Sequence, residues 1–273
     1  MNQSSPSSLE SYPLPVRRRL RSLLTLLSLP FLAFLVLPLA ALLLRTSPQE
    51  LIANLQKPQV IQAILLSLTT SLTSTLVIVI MGTPLALALA RHILPFERLV
   101  DTLVDLPLVL PPAVAGVALL MAFGRRGILG ESMTGLGIEI AFTPMAVILA
   151  QIFIAAPFYI KSARLGFEAV DHELVQAADL DGASGWQVFR FVVTPLSWAA
   201  ILSGSVMAWA RALGEFGATI IFAGNFPGRT QTMPLAIYLG FELDLDVALT
   251  LSVILMGFSF LALFAVRSLL DKK

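Results

Sequence analysis

Six stretches of near-continuous apolar residues, separated by short polar segments, organise this chain: roughly 23–44, 62–90, 106–123, 141–161, 197–223 and 247–267. A helix crossing a bilayer core of about 30 Å needs about 20 apolar residues, and these segments meet that length or approach it. The pattern predicts an all-α membrane protein with six transmembrane helices. The third segment is the shortest, and Pro107, Pro111 and Pro112 at its start predict a bent or delayed helix. Around these spans the chain reads as a tail over 1–22, a first, peripheral span over 23–44 and a core over 45–273 that holds the other five spans.

Composition sharpens this reading. Of 273 residues, 57% are hydrophobic and 13% charged, against about a quarter charged in an ordinary soluble domain. A net charge of +1 gives no concentrated basic face for nucleic acid. There is no cysteine, which removes disulfides, thiolate metal sites and cysteine catalysis together. Arg17, Arg18, Arg19 and Arg21 precede the first apolar run. That run exceeds the roughly 7 to 15 residues of a signal-peptide core and no A-x-A site follows, so it reads as a retained span. The Ser- and Pro-rich residues before it read as a disordered tail.

Lys and Arg set the orientation, because an excess marks cytoplasmic loops. With the N-terminus inside, twelve fall on the inner side, among them Arg91, Arg98, Lys161, Arg164, Arg190 and Arg267. Five fall outside: Arg45, Lys57, Arg125, Arg126 and Arg229. Both termini are therefore expected in the cytoplasm, together with the polar segment 164–195 between the fourth and fifth spans.

That segment predicts a helical hairpin. Asp171 caps a helix running to about Leu180, a break follows at Asp181, Gly182 and Ala183, and Ser184 with Gln187 forms a capping box for a second short helix. Pro195 is expected to open the next span, where its missing N–H costs little. Leu174, Ala177, Ala178 and Asp181 share one helical face by spacing. Small side chains there let a partner backbone approach closely, and Gly182 permits a turn that a side chain would strain.

Three further features carry candidate chemistry. Arg211 and Glu215 stand four apart within the fifth span, where an arginine costs about 2.5 to 3.5 kcal/mol and must face protein or water. They line or gate an anion pathway, or they form a structural pair; Gly214 and Gly217 beside them make room for a neighbouring helix. The second span carries a hydroxyl run that includes Thr70 and Thr73. Its side chains wet a pathway, or bond back to their own helix. The polar loop Gly224 to Thr232 contains Asn225 and a single cation, Arg229; as a sequence it is also a plain connecting turn.

Gln176-Ala177-Ala178, Gly182, Val192 and Pro195 keep the full spacing of the coupling loop of bacterial ATP-driven importer permeases. The residues depart at Gln176, Val192 and Thr194, where that family usually has Glu, Ile and Leu. The stretch from Arg211 to Tyr238, with Gly-Glu-Phe-Gly, Ala-Gly-Asn and Gly-Arg-Thr-Gln-Thr, resembles the molybdate branch, as do Leu106 to Pro112 and Gly124 to Gly127. The chain thus resembles the molybdate and sulfate importer permeases over most of its length beyond about residue 60. The resemblance implies the type I importer architecture and alternating access driven through Gln176, Ala177, Ala178, Asp181, Gly182, Ala183 and Pro195. It implies a second permease copy, two cytoplasmic ATPase subunits holding ATP and Mg, and an extracytoplasmic oxyanion-binding protein met near Asn225 and Arg229. It places the chain in a bacterial inner membrane. A sulfate or thiosulfate importer is the alternative within the family.

The chain contains no G-x-x-x-x-G-K-[ST] run, so hydrolysis is expected on a separate subunit and no cofactor or metal on this one. A membrane-embedded enzyme is disfavoured because His92 and His172 are the only histidines and neither lies in H-E-x-x-H. An ATP-independent transporter or channel would have no need of the Gly182 loop and would commonly show inverted repeats, of which none is evident.

Overall fold

The computed structural model describes residues 14–270, with side chains from 23 to 268. The chain divides into two compact units at Ser47. The first is a single helix, α1 (Leu14–Arg45), which contains Pro30 and Pro38 and whose described apolar side chains are largely exposed. It starts well before the expected boundary at 23, so part of the expected tail is helical; the rest of that tail, 1–13, lies outside the described residues.

The second unit is also helical. A short α2 (Pro48–Asn54) leads to α3 (Pro58–Ala90), α4 (Glu97–Val109), α5 (Pro112–Phe123) and a single turn α6 (Gly130–Gly135). The long α7 (Pro144–Glu168) is followed by α8 (His172–Leu180), α9 (Gly185–Val188), a π-helical turn at Phe189–Val193 and α10 (Thr194–Leu196). Then come α11 (Trp198–Leu213), α12 (Gly217–Phe222), α13 (Met233–Leu243) and α14 (Leu245–Leu270). Proline stands in the first turn of α3, α5, α7 and α13, where its absent N–H removes no helical bond and its fixed φ suits the helix.

Four unbroken helices are long and apolar enough to cross a membrane: Leu23–Arg45, Pro58–Ala90, Pro144–Glu168 and Leu245–Ser268. The two remaining expected spans are bent pairs, Glu97–Val109 with Pro112–Phe123 at 118° and Gly185–Leu196 with Trp198–Leu213 at 75°. The six-span reading holds if each pair counts as one span. The expected third span, 106–123, starts earlier, at Glu97, and bends as its prolines predict, at an elbow of Leu110 and Pro111 where the backbone turns extended. Pro111 and Pro112 supply no N–H to continue α4, and each pushes its predecessor out of the α conformation. The expected fifth span, 197–223, is also not continuous. It begins at the bend at Ser197 and breaks again between Leu213 and Gly217.

α3, α7 and α11 form the packed centre. One end of this centre is built from Ala86, Leu89, Tyr159, Phe167, Val170 and Val188, the other from Ala115, Ala146, Ala150, Ala218 and Phe222. A third cluster, with Val60, Leu213, Met233 and Leu251, seats α13 and α14. Polar contacts mark positions along α3. Lys57 just before its start pairs with Asp244 at 2.8 Å, and Ser67 accepts the Met233 N–H at 2.7 Å. With about 1.5 Å of rise per residue, Ser67 lies about 15 Å further along the helix than Lys57. The chain between α12 and α13 therefore returns into the protein before α13 runs back out, burying Thr230, Gln231 and Thr232. Of the two readings of 224–232, the plain connecting turn does not hold, because the segment re-enters and is partly buried. α13 has only 11 residues, about 16 Å of helix, too short to register as a span.

Candidate functional site

The hairpin after α7 forms as the capping pattern predicts. Asp171 accepts the Glu173 N–H at 2.9 Å to start α8. At its end the Gly182 N–H reaches Asp179 O at 3.0 Å and the Ala183 N–H reaches Ala178 O at 3.0 Å, a Schellman closure with Gly182 in the left-handed region at φ +82°. Space around Gly182 is open, so only its backbone conformation resists a small side chain. Ser184 and Gln187 then satisfy each other's backbone N–H groups, at 2.7 and 3.4 Å, as a capping box.

The face expected from spacing divides in two. Val175 and Ala178 pack onto the core, whereas Gln176, Ala177, Leu180 and Asp181 are exposed and Leu174 is largely open. Ala178 thus seats α8 on its own protein, and Ala177 lies on the outward side. Between α8 and α9 is a concave surface of about 390 Å³ lined by Ala178, Gly182, Ala183, Gln187, Val188 and Phe191.

Pro195 does not open the next span. It lies in α10, directly after the π-helical turn, and the chain bends at the buried Ser197 two residues later. A proline cannot bond the carbonyl four residues back and its ring crowds that carbonyl, here that of Phe191, so a widened turn before it is the expected relief. Ser197 donates to Gly166 O at 2.9 Å, which ties the bend to α7.

Arg211 and Glu215 come together, but at a break and not along one helix. α11 ends at Gly214, and Glu215, 1% exposed, pairs with Arg211 at 2.7 Å while its other oxygen accepts the Ala218 N–H of α12 at 2.8 Å. Arg211 keeps 30% of its side chain exposed. A Cβ on Gly217 would stand 2.5 Å from Pro112 Cβ, and one on Gly116 would stand 2.8 Å from Ala218 O, so these two glycines let α5 and α12 cross closely. Gly214 has no such neighbour and serves as the α11 cap, which corrects its expected role.

The hydroxyl run is mostly self-satisfied. Thr69, Thr70, Thr73, Ser74 and Thr75 all bond carbonyls one turn back on α3. Thr73 is exposed, while Thr70 is buried against Gln151, whose amide donates to it at 3.2 Å and accepts from Ser74 at 2.9 Å. Gln151 escaped the sequence reading, since one amide in an apolar run carries no pattern. Asn225 is half-buried and donates to Leu235 O at 3.3 Å, fastening the re-entering loop to α13. Arg229 is exposed at the loop's turn, between Gly228 at φ +74° and the buried Thr230. Among the described residues, no cluster of three or more His, Cys, Asp or Glu could hold a metal ion.

The chain also resembles known proteins. Residues 82–272 match the family model for the binding-protein-dependent transport system inner membrane component. The molybdenum transport system permease protein ModB of Mycobacterium tuberculosis is 43% identical over 226 residues, covering 82% of this chain and 85% of that protein. A probable sulfate transport system permease protein, cysT of Chlorokybus atmophyticus, is 34% identical over 247 residues, covering 88% and 86%. In fold, a crystal structure of a bacterial ABC transporter that imports the acidic polysaccharide alginate aligns with TM-score 0.71 at 20% identity, over 92% of this chain and 96% of that one.

Proposed function

The chain belongs to the family of binding-protein-dependent transport system inner membrane components, and from this we propose that it is the permease subunit of an ATP-driven molybdate importer. Tungstate, with the same tetrahedral oxygen shell, is an equivalent substrate. The observation that carries the reading is the capped hairpin at Asp171 to Leu196, with Ala177 and Gly182 exposed, in a chain that is 43% identical to a molybdenum permease. Two copies of this chain pair in the membrane, and two ATP-binding subunits dock on the hairpins from the cytoplasm. An extracytoplasmic binding protein delivers the oxyanion at the opposite face, where Arg229 is exposed. Both termini lie in the cytoplasm, as the excess of Lys and Arg on that side supports.

The mechanism is alternating access. ATP draws the two ATPase subunits together, and α8 and α9 carry that displacement into α7 on one side and into the bend at Ser197 on the other. The breaks at Leu110 and Gly214 are the points at which α5 and α12 reorient together against α7. Hydrolysis returns the spans to the inward-open arrangement. The permease requires no tight oxyanion site of its own, since selection rests with the binding protein.

Sulfate is the second reading, favoured by the 34% identity to a sulfate permease. ATPase activity of the reconstituted complex, titrated in parallel with molybdate, tungstate and sulfate, separates the two. Stimulation by molybdate and tungstate alone is expected. Stimulation by sulfate alone would move the substrate, and failure to associate with any ATPase would refute the importer itself.

A further inference from the structure

α4 carries Glu97, Asp101 and Asp105 at intervals of four residues, which places the three carboxylates on one stripe. The facing end of α7 answers with two cations. Arg164 reaches Asp101 at 2.9 Å, Glu97 at 3.4 Å and Glu168 of its own helix at 2.7 Å, and Lys161 reaches Asp105 at 2.7 Å. Arg164 is only 20% exposed, and its planar fork engages three carboxylates through three separate nitrogens, a spread that the compact ammonium of a lysine lacks. The other oxygen of Asp105 is buried without a protein partner, and Lys161 is its one ion-pair partner among the described residues. A second stripe, Val100 and Val104, packs on the core, while Leu99 and Leu103 remain open.

The position of this ladder gives it significance. Arg164 lies on the last turns of α7, which continue through Ala169 directly into the hairpin at Asp171. α4 continues through the elbow at Leu110 and Pro111 into α5, which interlocks with α12 at Gly116 and Gly217, and α12 is in turn capped by Glu215. Besides the ladder, α4 is held to the core by the apolar stripe of Val100 and Val104.

We propose that Arg164 and Lys161 are positioning residues that lock α4 to the end of α7, so that displacement of the hairpin is delivered through α4 and α5 to the break at Glu215. The inference rests on the ATP-driven importer reading, and it adds a second route for motion besides the bend at Ser197. Isolated exposed ion pairs contribute little to stability; here the pairs act as a clamp, and their effect is on coupling.

The test uses the full complex with its ATPase and binding protein in proteoliposomes, comparing basal ATPase, stimulated ATPase and uptake. Lys161→Asp and Asp105→Lys singly are expected to assemble with normal basal hydrolysis but to lose stimulation and uptake per ATP by at least about fivefold, the lower end of ordinary coupling energies. The double exchange, which restores the pair with reversed sign, is expected to restore both. Full coupling in the single variants, or no recovery in a well-assembled double variant, would overturn the clamp while leaving the importer reading intact. Should the single variants fail to assemble, Arg164→Lys, which keeps the charge and loses the fork, decides: wild-type coupling in it overturns the proposal. If the wild-type complex shows no stimulation by loaded binding protein, the importer reading fails and the clamp fails with it.

Discussion

Glu215 holds the break in the fifth span from both sides, with Arg211 2.7 Å from one oxygen and the Ala218 N–H 2.8 Å from the other. Glu215→Ala would leave a partly buried arginine and a buried N–H without partners. The expected cost is about 2 to 3 kcal/mol, below the figure for a fully buried pair because Arg211 retains contact with solvent. Arg211→Gln is expected to cost at least as much, since it leaves the buried Glu215 carboxylate without a counter-charge and with only the Ala218 N–H as a partner. Thermal midpoints of the two purified variants check this, and a negligible effect in both would argue against the capping role. Gln151→Leu is expected to be nearly neutral for stability, within about 1 kcal/mol, because Thr70 and Ser74 already bond carbonyls of α3. A large loss of stability in that variant would show that the amide organises the centre. These contacts could not be read from the sequence. The four-residue spacing of Arg211 and Glu215 was visible, but it suggested one unbroken helix, and nothing in the pattern announced that Glu215 would cap a second one.

At the scale of elements, the hairpin was legible nearly residue by residue, because caps and glycine turns are local physics: Asp171, Gly182, Ser184 and Gln187 each act within four residues of themselves. The long spans were legible because hydropathy reports composition. The same measure is blind to geometry, so apolar residues running on through Leu110 and Gly214 concealed both breaks, although Pro111 and Pro112 pointed to a bend. α4 was missed beyond its last turns because an acidic stripe reads as loop until Arg164, more than sixty residues away, is placed against it. Gly182→Ala is expected to weaken the hairpin by about 1 kcal/mol through backbone strain alone, since the space around it is open. Faster amide exchange confined to 172–192 would confirm this. Lys57 and Asp244 clip α3 to the start of α14 at an exposed pair. Hydrogen bonds from Lys57 and from the Val247 N–H hold the Asp244 carboxyl below its ordinary value of 3.8. A carboxyl depressed on folding contributes stability above its unfolded pKa and loses it as pH falls through the folded one. The clip should therefore be pH-independent from neutrality to about pH 5 and be lost below about pH 4. Asp244→Asn should remove that component, and a loss centred near pH 6 in the wild type would contradict the assignment.

The second unit combines a packed centre with two broken spans. α3, α7 and α11 are joined by close packing and by serine bonds such as Ser162 to Ala200 O and Ser197 to Gly166 O, while α5 and α12 interlock with each other and pack together onto α7. Family membership was legible because the spacing from Gln176 to Pro195 survives changes of residue at three positions. The substrate was suggested only by resemblance, since hydroxyls and backbone N–H groups treat molybdate, tungstate and sulfate alike. The most direct test of the account is ATP-dependent uptake of molybdate into proteoliposomes containing the permease, its ATPase and its loaded binding protein, with wild type and Gly182→Trp side by side. The account predicts uptake that requires ATP and is lost in a variant that still assembles, because the tryptophan would crowd the concave surface on which the ATPase is proposed to dock. Uptake without ATP, or undiminished uptake in that variant, would contradict it.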